Sequence, residues 1–381
     1  MCIRDRAGRD LGSPRAPDKD ARSATDDQIW NIPDRVELPV DREALQAELA
    51  ATLHVGGPVW LRPRHDGTGS GTTTAMIDFA HRHRDRYDIA WWIPALDPDL
   101  IPDRLAELAV TLELATATDT ADQATTTLLE ALRRRHRWLL VFDDAESPRE
   151  VARYLPGAAG DVLIASFDPG WRVLATPVTV PAFTRAESVS LLRSRRPDVA
   201  TEPAEQIAAT LGDEPLAVGP AAALLSDTGM DLDTFRSVLP DRSADAPDGG
   251  GVEAVWTVTL DLLTADDPQA TALLTLVAWL GPAPLPVSLV TENPHKLPEP
   301  LGAAARNPSE LAEHTAILRR RGLARVTGDD LLLHPVPAAL LMARTSRDHA
   351  GEGGWAAIAV RLLRAAAPDR PAAEPLSLIH I

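Results

Sequence analysis

Five short apolar runs, set between segments with helical spacing, constrain the fold of this chain more than any other feature. Residues 58–61, 88–93, 138–142, 161–166 and 178–180 read as strands. Among the intervening segments, Met76, Ile77, Phe79 and Ala80 mark one helix, residues 98–114 a second, and Leu128, Leu129 and Leu132 a third that runs to Arg137. The run Trp138-Leu139-Leu140-Val141-Phe142 is apolar at every position. Such continuity is expected where helices cover both faces of a parallel sheet. Strands alternating with helices therefore predict an α/β domain with a parallel sheet, here over residues 30–182. Leu45, Leu49 and Leu53 place a further helix ahead of the first strand.

After Phe183 only helices are expected. Thr184 followed by Glu187 is a capping box, and helices cover residues 204–211, 215–226 and 232–239, giving a helical domain over residues 183–239. Residues 240–251 are rich in Asp, Pro and Gly and read as a linker. Beyond it, helices at 255–263, 268–280 and 308–321 accompany a hairpin signal in which 323–326 and 331–333 flank the turn 327–330. Helices beside a small hairpin predict a winged-helix domain over residues 252–368. Residues 1–29 and 369–381 read as a disordered linker and tail. Residues 1–6 and 376–381 look like translated adapter sequence, and on that reading the chain is a fragment whose flanking domains lie outside it.

Composition excludes several classes of function. A net charge of −17 leaves no basic footprint for nucleic acid or anionic membrane. A single cysteine, Cys2, cannot build a disulfide framework or a Cys-based zinc site. The first thirty residues are polar, unlike a signal peptide. The most apolar stretch, 273–290, is interrupted by Gly281, Pro282, Pro284 and Pro286 and reads as a buried helix with an irregular exit rather than a membrane span. A cytoplasmic protein is the expectation.

The residues that carry chemistry begin at a Gly/Thr-rich loop, 64–74, between the first apolar run and a helix. A glycine-rich turn opening a helix presents unpaired N–H groups and the positive end of the helix dipole, which together bind phosphate. Against the pattern G-x-x-x-x-G-K-[ST], Gly71 is the second glycine and Thr73 the magnesium-ligating hydroxyl. Asp66 falls on the first glycine and Thr72 on the lysine. The candidate phosphate-binding residues are Gly67, Gly69, Ser70, Gly71, Thr72, Thr73 and Thr74; taken alone, the loop reads equally as a plain connection. About 70 residues on, the apolar run at 139–142 ends in Asp143 and Asp144. In that context the first acid holds magnesium with Thr73, and the second, Asp144, polarises an attacking water; the alternative is that both simply cap the next segment. The only lysines in the chain are Lys19 and Lys296, neither near this loop. Arg62, Arg64 and His65 flank it, and no register places Arg64 at the lysine position.

Six segments in order resemble one family. Residues 31–33 through Asp41-Arg42-Glu43 resemble a lead-in that ends in Gly-Arg-Glu. Residues 79–83 with 89–95 resemble the helix and strand after the phosphate loop. Residues 138–145 resemble the acidic strand, and 162–167 a sensor strand. Residues 211–217 resemble a Gly-x-Pro helix start, and Leu332-Leu333-His334 falls at a winged-helix histidine. On these segments, residues from about 30 to 368 resemble the NB-ARC-type STAND P-loop NTPases of actinobacteria, which often carry tetratricopeptide repeats downstream. The resemblance implies an ADP- or ATP-binding switch with Mg2+. It adds Arg42, Pro215 and His334 to the nucleotide-binding residues, since the family's proline and histidine contact bound ADP. Protein partners, or self-association through flanking domains, would complete its function.

The departures from the family set the expectation for chemistry. Asp41 replaces the lead-in glycine, Thr72 the loop lysine and Phe167 the sensor arginine, and Pro335 follows the histidine. A unit charge pair at 4 Å is worth about 4 kcal/mol at an effective dielectric near 20. Losing both cations predicts weak nucleotide binding, or none, and hydrolysis that is lost or very slow, with Asp144 a vestige. Two other readings stand beside the switch: a DNA-binding regulator using the winged helix, which Glu310, Glu313, Asp329 and Asp330 oppose, and an active ATPase with an unorthodox loop.

Overall fold

The computed structural model of the chain describes residues 28–35, 40–63, 71–157, 160–239, 250–281, 283–327, 329–346 and 354–366. The expected N-terminal linker up to residue 27, most of the 240–251 linker and the tail lie outside the described residues.

Six parallel strands form the first sheet: β1 (Ile29–Trp30), β2 (Val59–Pro63), β3 (Ile89–Pro94), β4 (Trp138–Asp143), β5 (Asp161–Ala165) and β6 (Thr176–Val180), in the order β1-β3-β4-β5-β2-β6. Side chains alternate across a strand, and β4 shows the consequence. Trp138, Leu140 and Phe142 enter the core on one face, packed with α3 (Ile101–Thr111) and α4 (Ala121–Leu132). Leu139 and Val141 enter the core on the other, with α1 (Glu43–Val55) and α2 (Thr72–Arg82). The expectation of a sheet covered on both faces is met.

Local differences from the sequence reading have local causes. The helix expected to run to Arg137 stops at Leu132. The Trp138 indole N–H donates to the carbonyls of Leu132 (3.0 Å) and Arg135 (3.1 Å), and Arg137 turns the chain into β4 with φ 61°. β1 was not foreseen: two residues are too few to show a period. It is held at the sheet edge by Asn31, whose side-chain oxygen accepts from the Trp92 backbone N–H at 2.5 Å. A short α5 (Pro148–Val151) follows β4.

Past β6 the chain is mainly helical: α6 (Arg185–Arg195), α7 (Thr201–Thr210), α8 (Pro215–Thr228), α9 (Leu232–Val238), α10 (Gly250–Asp266) and α11 (Pro268–Leu280). Both bonds of the capping box at Thr184 and Glu187 are present. Then come β7 (Leu285–Pro286), α12 (Val287–Glu292), α13 (Leu301–Ala305), α14 (Pro308–Arg320), β8 (Arg325–Thr327), β9 (Asp330–Leu332), α15 (Pro335–Thr345) and α16 (Trp355–Ala366). The last three strands make an antiparallel sheet in the order β7-β9-β8. One hydrophobic core runs from Phe183 to Leu362, so the helices before and after the 240–251 segment are packed as a unit. Trp256 of α10 seals the join, donating its indole N–H to the Leu216 carbonyl at 3.1 Å. Among the described residues no helix is long and apolar enough to cross a membrane.

Charged side chains also fasten α14 to α8. Asp227 near the end of α8 accepts from Arg320 and from Arg321, each at 2.6 Å, and Arg321 reaches Asp266 at 2.9 Å. The Arg321 and Asp227 side chains are only 8% and 10% exposed. A pair this dry resists separation, because either charge left alone would be buried without a partner.

Candidate nucleotide-binding site

The site forms where β2 and β4 end and α2 begins, at the carboxyl edge of the parallel sheet, where open α/β sheets bind ligands. Residues 64–70 lie outside the described residues, so Gly67, Gly69 and Ser70 are not placed. Description resumes at Gly71, which caps α2 with φ 80° and ψ 32°, a left-handed conformation that glycine adopts without a Cβ penalty. Thr72, Thr73 and Thr74 form the first turn of α2, whose backbone N–H groups have no intrahelical acceptor. The first helical bond is from Ala75 to the Gly71 carbonyl at 2.9 Å.

Thr73 and Asp143, both candidate magnesium ligands in the sequence, are brought together. The Thr73 hydroxyl donates to the Asp143 carboxylate, 3.0 Å from Oδ1 and 3.2 Å from Oδ2. Burial pushes the Asp143 carboxyl up to about 7, and the adjacent Asp144 adds to it. Arg325, the Thr73 hydroxyl and the Asp144 backbone N–H pull the other way. Asp144 itself sits in the left-handed region at φ 57°, and its carboxyl is raised by burial and by Glu146 and lowered by Arg325. A non-glycine residue in that region is uncommon outside tight turns and functional sites.

Arg42 and Pro215 are also brought to the loop. A Cβ built on Gly71 would lie 3.7 Å from Arg42 Nη1 and 3.8 Å from Pro215 Cβ. Arg42 donates to the Pro181 carbonyl and lies over the Phe183 ring, 5.5 Å from its centroid. Arg42, Gly71, Phe183 and Pro215, with Gln46, Thr74 and Val40, line a solvent-open groove. Gln46 was not anticipated; its side-chain amide donates to the Ala75 carbonyl at 3.1 Å and so props α1 against α2. Asp41 forms an ion pair with Arg82 at the end of α2.

His334, from the C-terminal part of the chain, is linked to the site through Arg325. It caps α15, its Nδ1 accepting from the Val336 N–H at 3.2 Å, which leaves the proton on Nε2. The residue is exposed to solvent, yet protein atoms crowd around its ring. That burial, with the positive charge of Arg325, holds it down to about 4. Arg325 on β8 is the neighbour that His334, Asp143 and Asp144 share. Burial lowers its own pKa and the two aspartates raise it. Sequence reading missed this arginine, and no local pattern marks it. Phe167 follows β5 and is 42% exposed, and its backbone N–H donates to Glu146 Oε1 at 2.9 Å. An apolar ring, with no cation, therefore follows β5.

No protein-family model and no curated protein sequence matches the chain. Solved structures do match its fold. A Signal Transduction ATPase with Numerous Domains (STAND) protein with a tetratricopeptide repeat sensor from Pyrococcus horikoshii superposes over 90% of this chain with a TM-score of 0.58 at 14% identity. The chain spans about half of that protein's length, 48%. A Walker-type ATPase of Pyrococcus abyssi (15% identity, 79% of this chain and 95% of that one, TM-score 0.39) and the ORC2 protein of Aeropyrum pernix (14% identity, 91% and 98%, TM-score 0.37) are more distant in shape. With the parallel sheet, the likeness defines the fold class: an α/β fold of the P-loop NTPase type.

Proposed function

We propose that the chain is the nucleotide-binding core of a STAND-type switch related to NB-ARC proteins, holding a nucleoside diphosphate and turning over ATP slowly or not at all. One convergence supports this reading. Gly71 and Thr73, Asp143 and Pro215 come from separate elements and frame one region at the start of α2, and Arg325 is the charge that His334 shares with Asp143. A ligand that touches several segments in one arrangement only will favour that arrangement, which is the physical requirement for a switch. The order α11, β7, α12, α13, α14, β8, β9 supports reading the C-terminal part as a winged helix that serves as a lid.

The Thr73 hydroxyl and Asp143 carboxylate suit Mg2+, which prefers hard oxygen donors and keeps its other positions for water and phosphate. The raised pKa of Asp143 is that of a buried acid that a cation would relieve. When bound, the ion would neutralise phosphate charge. Thr72 and Phe167 bring no charge to the transferring phosphoryl group, which supports loss of turnover. Protein partners, or self-association, would act through flanking domains.

The experiment is direct. Purified protein is denatured and its supernatant assayed for released ADP or ATP, and thermal unfolding is followed at millimolar ADP. A nucleotide-free preparation with no shift of the midpoint would remove the ADP-switch reading. Magnesium-dependent ATP turnover that Asp143→Ala abolishes would overturn the loss of catalysis.

A further inference from the structure

We propose that Arg325 is the phosphate-site cation of this protein, carried on the C-terminal hairpin in place of the lysine that position 72 lacks. The inference rests on the nucleotide-binding reading above. Its grounds are positional. Alternation along the strand sends Arg325 away from the hydrophobic core that its neighbours Ala324 and Val326 join. On that side it faces Asp143, Asp144 and His334. Among the described residues its side chain makes no hydrogen bond and no ion pair within 4.0 Å, so the guanidinium stands apart from the aspartates while compensating their charge.

Its carrier is firmly placed. Just before β8, Arg321 is fixed to Asp227 of α8 at 2.6 Å, and a Cβ built on Gly322 would lie 3.8 Å from Ala223 Cβ of the same helix. The other end of α8 is Pro215, against Gly71. One helix therefore spans the loop–helix junction and the base of the hairpin, and sets the arginine relative to the start of α2.

Chemistry favours the assignment. A guanidinium offers planar, bidentate hydrogen bonding to phosphate oxygens and remains charged when buried. Thr72 has a hydroxyl but no charge, and neither lysine of the chain is in this loop. A cation on β8 is in reach of the phosphates only while the hairpin sits against the sheet. The ligand class is a nucleotide with at least two phosphates, since a lone phosphate at the start of α2 is already served by backbone N–H groups.

The test is ADP titration of the full chain by calorimetry, comparing wild type, Arg325→Ala, Arg325→Gln, Thr72→Lys and the double variant Arg325→Ala/Thr72→Lys. Thermal unfolding without nucleotide identifies which variants fold, and Arg325→Gln keeps side-chain length if alanine does not. Removing the charge is expected to weaken ADP binding roughly ten- to a hundredfold, the scale of a charged hydrogen bond, and Thr72→Lys to restore it. Equal ADP affinity in wild type and the Arg325 variants would overturn the role of Arg325 and leave the nucleotide-binding reading intact. ADP binding by Thr72→Lys but not by wild type would also overturn it, because the site would then be built but without a working cation. No binding by either would overturn both.

Discussion

The Thr73 hydroxyl donates to Asp143 Oδ1 at 3.0 Å, joining the first turn of α2 to the end of β4 across 70 positions of sequence. The contact places a helix N-terminus, a hydroxyl and a buried acid within a few ångströms of each other. It also gives the acid a partner that favours its ionised form against the cost of burial.

That balance has a pH signature. The Asp143 carboxyl is at about 7 in the folded chain against 3.8 in the reference state. The folded state therefore holds the proton more tightly, and this group's contribution to stability is fully present below pH 3.8 and lost as pH rises through about 7. Asp143→Asn should flatten that slope and raise the unfolding midpoint above pH 7 in nucleotide-free protein. Thermal unfolding across pH 4 to 8 checks it; an unchanged profile would contradict the burial argument.

His334 should act in the opposite sense. Its folded pKa of about 4 lies below the reference value of 6.5, so the unfolded chain takes up the proton first. Stability from this group is complete above 6.5 and is lost as pH falls towards 4. The difference between wild type and His334→Gln should change across that window and level off above it, where only the lost cap of α15 separates them; pH-dependent unfolding curves of the two proteins will show this.

Asp227→Ala should be among the most damaging polar substitutions. It strands Arg321, 8% exposed and with its Nη1 already unpartnered, and leaves Asp266 as its remaining acidic partner. Breaking a buried pair costs about 3–5 kcal/mol, and Asp227→Ala should approach the lower end because Asp266 remains. Denaturant unfolding provides the value, and Asp227→Ala/Arg321→Met should recover part of the loss. No recovery in the double variant would mean that the two residues act independently.

Gly160→Ala should damage the sheet although no unusual backbone angle is involved. A Cβ there would lie 2.1 Å from the Trp138 ring. Trp138 is 1% exposed and tied by its indole to α4, so it has little freedom to give way. Overpacking of this kind costs about 1–3 kcal/mol and occasionally more. Combining it with Trp138→Leu should lessen the penalty in unfolding measurements.

Much of the site was legible because its parts are local. Gly71 and Thr73 belong to a loop pattern, Asp143 ends an apolar strand, and Thr184 with Glu187 is a cap; each is recognised within a few residues. The charge compensation at the site was not legible. Arg325 has no motif, and its importance comes from acids some 180 positions earlier. Even the one-sided facing of Arg325 depends on which side of β8 meets the core.

The sequence by itself determined the elements of this protein: covered parallel strands, capped helices, a glycine-opened helix with a hydroxyl beside it, and an acid at the end of β4. It determined equally that lysine is missing from the loop. Strand order, the edge position of β1, the Arg321–Asp227 fastening and the approach of Arg325 to the two aspartates and to His334 were decided only in three dimensions. Local structure follows from periodicity and capping within a few residues. The electrostatics of the site depend on the distances and solvent exclusion that arise when distant segments pack together.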